Sequence, residues 1–127
     1  MGIQNVQVSF NYNNGTPIWN VPDVTVAHGN MDTIQWNLSC TNLPSGTTGR
    51  FSNSQPINFV TRKNNVNGAT WTGPGPTRVS DTEVTVLDDN RGPSQTSTYY
   101  YNVNIDLVNG NNVTTMTDDP EVENPGG

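Results

Sequence analysis

The chain has 127 residues, 31% of them hydrophobic and 13% charged, and a net charge of −6 at neutral pH. That length suits one domain with a single two-layer core and is too short for two independent ones. The strong bases, Arg50, Arg62, Lys63, Arg78 and Arg91, form no basic stripe, so neither nucleic acid nor an anionic membrane surface is an expected partner.

Membrane insertion is not expected either, because no apolar run approaches the roughly 20 residues that span a bilayer. The stretch MGIQNVQVSF alternates polar and apolar residues from its start and shows no charged n-region or apolar h-region. No signal peptide is therefore expected, and the default location is cytoplasmic. A lone Cys40 cannot form an internal disulfide, so nothing requires an oxidising compartment.

In chain order, alternation predicts a first strand through Val6, Val8 and Phe10. Val24 and Val26 follow Pro22 in a second short run, and Ile34, Trp36 and Leu38 alternate in TIQWNL. PINFV and ATWTG are weaker strand candidates, and Val84 and Val86 alternate in TEVTVLD. The longest element places Tyr99, Tyr101, Val103, Ile105 and Leu107 on one face. NGNN then turns the chain into a run holding Val113 and Met116, which reads as a hairpin.

Turn-forming clusters, NNGTP, HGNMD, LPSGTTG, NNVNG, GPGP and DDNRGP, separate these runs. No stretch sustains a helical period, and Pro and Gly interrupt any helix of useful length. The expected fold is all-β: an antiparallel two-sheet β-sandwich of about seven to nine strands in a Greek-key order. It occupies residues 1–124 as one domain, with 125–127 a frayed tail.

The segment VPDVTVAHGNMDTIQWNL holds the single histidine, His28, with Met31, and Cys40 follows shortly after it. It resembles cupredoxin-like domains, in which a strand of the form xVTVxxG leads through a turn into one of the form xIxWxx. Many Ig-like sandwiches share that pattern. Copper-binding cupredoxins carry a second His, a Cys and usually a Met near the C-terminus, whereas this chain has only Met116 after residue 100. A type 1 copper centre needs two imidazoles and a thiolate, so no copper site is expected. His28 then reads as a turn residue, Cys40 as a buried inert thiol in phase with Ile34 and Trp36, and Trp36 as core.

Two weaker signals point to ligands. DDNRG offers Asp88, Asp89 and Asn90 as oxygen donors for calcium, and Asp118 and Asp119, with Glu121 and Glu123, join them if the C-terminal segment folds back. An EF-hand loop starting at Asp88 requires Glu in its twelfth place, where Tyr99 stands. Trp19 in TPIWN and Trp71 in GATWTGPGP lie beside Asn-, Thr- and Gly-rich loops and suit a carbohydrate platform, with Asn90 as a further hydrogen-bonding group.

Catalysis has little to draw on. His28 is the sole imidazole, no GxSxG elbow is present, and only carboxylate chemistry through residues such as Asp88 and Asp119 remains for a hydrolase. The expected role is a small, acidic, non-catalytic binding or structural module without a required cofactor. It is a candidate for self-association into a homo-oligomer through strand edges. A carbohydrate- or calcium-binding lectin-like module is the first alternative, and a carboxylate-dependent hydrolase the second.

Overall fold

The computed structural model describes residues 2–92 and 96–126. Its elements are β1 (Ile3–Asn13), β2 (Thr16–Asn20), β3 (Val24–Thr25), β4 (Met31–Thr41), β5 (Thr48–Phe51), β6 (Ile57–Val60), β7 (Arg62–Lys63), β8 (Val66–Asn67), β9 (Thr77–Ser80), β10 (Glu83–Asp89), β11 (Ser97–Asn109), β12 (Asn112–Asp118) and β13 (Glu121–Asn124). The fold is all-β, and no helix occurs among the described residues.

One sheet has the order β2-β1-β4-β10-β9. The other is built on β11, which pairs with β12 and β13 along one edge and with β5 and β6 along the other, while β3 extends it beyond β13. A small β7-β8 hairpin stands apart.

Alternation accounts for the core. Val6, Val8, Phe10, Ile34, Trp36, Val84 and Val86 from the first sheet meet Phe51, Ile57, Tyr101, Val103, Ile105 and Val122 from the second in one buried apolar cluster. Trp36 and Tyr101 are fully buried and pack edge to face across it, their ring centroids 5.3 Å apart. Cross-strand pairs from residues of one phase are what a sheet with one wet face requires.

The expected wholly antiparallel arrangement needs correction, as does the strand number. β1 runs parallel to β4 from Ile3↔Thr33 to Asn11↔Thr41, and β13 runs parallel to β3. The chain leaves the first sheet after β2, contributes β3 to the second, and returns as β4 in the direction of β1. A period-two pattern fixes which face is buried but carries no information on strand direction.

Extra strands come from short edge segments without clear alternation. β2 contains Pro17, which an outer strand tolerates. It is joined to β1 through Asn14 and Gly15, both at positive φ (50° and 81°), as a two-residue hairpin demands. Conversely, ATWTG is a loop: the Trp71 indole N–H donates to the Pro74 carbonyl at 2.9 Å and curls this Gly- and Pro-rich stretch on itself.

Beyond Asn124, Pro125 and Gly126 each make one hydrogen bond to an earlier segment. The Pro125 carbonyl accepts from Asn90 Nδ2 at 3.1 Å, and the Gly126 N–H donates to Thr96 Oγ1. Gly127 lies outside the described residues.

Candidate functional site

On its β9 side, β10 is paired only through Glu83, Val84 and Thr85. Beyond them a cleft of about 400 Å³ opens, lined by Leu87, Asp88 and Asp89 of β10, Tyr99 of β11, and Trp71, Thr72, Gly73 and Pro74 of the preceding loop. It therefore lies between elements of the two large sheets, with one aromatic wall and one acidic wall.

The aromatic wall is held from behind. Phe59 stacks on the Trp71 indole with centroids 4.2 Å apart and planes 6° from parallel, while Tyr99 meets Trp71 nearly at right angles, 5.0 Å away. One indole face is thus occupied by Phe59, and Gly73 lies against the ring system. Such fixed aromatic edges combine apolar contact area with little conformational freedom.

On the acidic wall the two neighbouring carboxylates differ. Asp89 is exposed and is gripped by Arg91, whose Nε and Nη2 donate to its two oxygens at 2.8 and 3.0 Å, holding its carboxyl below the ordinary range. Asp88 follows Val84 and Val86 in phase and is only 2% exposed. Asn124 Nδ2 donates to its Oδ1 at 2.7 Å, and its Oδ2 has no partner. Burial is the chief reason its carboxyl is pushed up, opposed by the Asn124 bond and reinforced by the charges of Asp32 and Asp89.

Asp32 is the cross-strand partner of Asp88 on β4 and is equally buried. Gln4 Nε2 and the Gly2 N–H donate to its two oxygens at 3.0 and 2.9 Å, and these bonds, Gln4 first, pull its carboxyl down against the effect of burial. Two facing carboxyls are therefore shifted in opposite directions, Asp32 down by its donors and Asp88 up chiefly by burial.

The residues singled out from the sequence are distributed unevenly around this cleft. Trp71, Asp88 and Asp89 come together. Asn90 sits behind them, 7% exposed, its amide donating to the carbonyls of Val26 (2.8 Å) and Pro125 (3.1 Å), so its donor group serves as a tie between segments. Trp19 packs against Phe10 at 4.8 Å on the β1-β2 hairpin, near the Cys40 end of β4, opposite the Asp32 end.

The C-terminal segment does fold back beside DDNRG, but it brings Asn124 and Pro125 there. Asp118 pairs with Val103 and Asn124 with Ser97, six positions away along β11, which is roughly 20 Å at the rise of a strand. Asp118 and Asp119 are thus not gathered with Asp88, and among the described residues no group of three or more His, Cys, Asp or Glu side chains is placed to hold a metal.

His28, Met31 and Cys40 are likewise separated. Met31 begins β4 and Cys40 lies nine positions on, roughly 30 Å away at strand rise. His28 occupies a turn, where its Nε2 donates to the Gly92 carbonyl at 3.2 Å.

Asp32, Asn124 and Tyr99 were not anticipated at the site. Asp32 shares the phase of Ile34 and Trp36, Asp88 that of Val84 and Val86, and Asn124 that of Val122. Polar groups at core-phase positions were the available signal.

At the other end of β4, shallower depressions of about 480 and 160 Å³ share Tyr12 and Pro44, and their walls are mostly Asn and Thr.

No protein-family model and no curated protein matches the chain. Among solved structures, it is similar to the N-terminal domain of phage TP901-1 ORF48, with a TM-score of 0.38 and 9% sequence identity over 98% of each chain.

Proposed function

We propose that the protein is a non-catalytic β-sandwich binding module, Ig-like or cupredoxin-like in its layering, that takes a neutral carbohydrate in the cleft beside Trp71. The observation that carries this reading is the convergence of Trp71 and Tyr99 with Asp88 and Asp89 on one cleft. A sugar offers C–H groups to aromatic ring faces and hydroxyls to carboxyl oxygens and backbone groups. The Arg91 pairing neutralises Asp89, which disfavours a cationic ligand there. A carboxylate hydrolase draws less support, since Asp88 and Asp119 lie well beyond the 5 to 9.5 Å that glycoside hydrolysis uses, by the roughly 20 Å strand-rise estimate.

Titration with a panel of neutral oligosaccharides, followed by amide and indole NMR shifts, tests this. Shifts are expected at the Trp71 indole N–H, Gly73 and Tyr99, with the Trp19 indole unmoved, and they should vanish in Trp71→Ala. A panel that leaves the Trp71 indole unmoved removes the reading.

Self-association is a second reading, supported by the outer edge of β12. Among the described residues β12 pairs only with β11; it has seven residues, no Pro, Lys or Arg, and exposes Val113. An outer edge without such blocking residues is a template for a second strand. Sedimentation at micromolar concentration should show a dimer that Val113→Lys dissociates; a monomer throughout eliminates this reading.

A further inference from the structure

Asp88 and Asn124 present an unmatched pair of acceptors. The two side chains are 2% and 4% exposed and joined by the Asn124 Nδ2 to Asp88 Oδ1 bond of 2.7 Å. The atoms left over are Asp88 Oδ2 and Asn124 Oδ1, both buried and both without a donor. If Asp88 is ionised, two lone-pair oxygens on directly bonded residues are dehydrated with nothing to accept from, which a folded interior rarely tolerates. A single proton removes both deficits, because a protonated carboxyl is a donor as well as an acceptor and an amide oxygen is its natural partner.

We propose that Asp88 is a carboxylic acid in the folded protein, its Oδ2–H donating to Asn124 Oδ1, and that this doubly bonded carboxyl–amide pair is a proton-operated latch between β10 and β13. Taking a proton from water closes the latch. Releasing it to water leaves one bond, a buried negative charge and an unpartnered amide oxygen, so the end of β13 loosens from the first sheet.

The surroundings favour the closed form. Asp32 faces Asp88 from β4 and Asp89 follows it on β10, and both are negative. The cation nearest in sequence, Arg91, is engaged by Asp89. On β13 the adjacent Glu123 turns to Thr98, accepting its hydroxyl at 3.2 Å, and from the preceding turn His28 is directed to the Gly92 carbonyl. From β11, Tyr99 lines the same cleft. Burial pushes the Asp88 carboxyl up in the same sense.

The test is a pH titration of the Asp88 side-chain carboxyl by carbon NMR on the unmodified protein, with hydrogen exchange of the β13 amides followed across the same range. The expected result is a midpoint displaced upward from the ordinary 3.8, with β13 exchange rising above it faster than base catalysis alone predicts. In Asp88→Asn, whose amide donates to Asn124 Oδ1 without a titrating proton, β13 protection should no longer follow the midpoint. A midpoint at or below the ordinary aspartate value overturns the proposal. So does β13 protection that ignores the Asp88 midpoint, or a carboxyl signal that moves on adding EDTA or calcium, which would place a cation between the two oxygens.

Discussion

Trp36 Nε1–H donates to the Tyr101 hydroxyl at 2.9 Å across the centre of the core, one residue from each large sheet. Both side chains are fully buried, so each polar atom depends on the other. Burial also drives the Tyr101 phenol well above its ordinary range, keeping it protonated throughout physiological pH.

Tyr101→Phe removes the acceptor and strands the indole N–H in an apolar setting. The expected loss is about 1–3 kcal/mol of stability, seen as a lower denaturant midpoint with an unchanged slope. An unchanged midpoint would show that the indole finds another acceptor.

The acid limb of stability should depend on Asp32. Its carboxyl is held below the ordinary 3.8 by Gln4 and the Gly2 N–H, so its contribution is fully present above the unfolded value and is lost as pH falls through the lowered folded value. Asp32→Asn should flatten stability on that limb in denaturant titrations at stepped pH. Because the Asp32 charge opposes ionisation of Asp88, the same substitution should lower the Asp88 midpoint.

How much of this was legible follows from the same residues. Alternation located Val6, Val8 and Phe10, the Ile34 to Leu38 run, and the long Tyr101 to Leu107 face, because burial on one side of a strand writes a period of two into sequence. It could not reveal that β1 and β4 are parallel, nor find β2 and β9, where Pro17 and exposed residues such as Val79 carry no core phase. Within the cleft, Trp71, Asp88 and Asp89 were visible as residue types. Asp32 and Asn124 were hidden, since their partners are 28 to 36 positions away in sequence and known only from the folded register.

Gly68 supports the cleft wall through close packing. A Cβ there would stand 2.6 Å from Tyr100 Cδ2 and 3.0 Å from the Thr98 carbonyl oxygen, and the second neighbour is backbone already bonded to the Ala69 N–H. Gly68→Ala should cost about 1–3 kcal/mol by overpacking, read from thermal melts. Wild-type stability in this variant would mean that the loop leading to Trp71 shifts freely.

Cys40 should react slowly. Burial raises its thiol above the ordinary 9.0, leaving little thiolate at neutral pH, and Gly49 packs directly on its sulfur. Reaction with a thiol-specific chromogenic reagent is expected to be slower than that of free cysteine and to accelerate through the unfolding transition. Fast labelling of the native protein would contradict the packing of this end of β4.

Because β11 joins β5, β6, β12 and β13, the order of synthesis matters to this fold. Every strand of the first sheet precedes Ser97 and emerges before β11, as do the waiting partners β5 and β6. Until Tyr101, Val103, Ile105 and Leu107 arrive, the inner face carrying Trp36 and Ile34 lacks the central strand of its cover, and the nascent chain holds an apolar surface open to its neighbours. Completion of the fold thus waits for β11, and a chain stopped short of it leaves that apolar face exposed to aggregation.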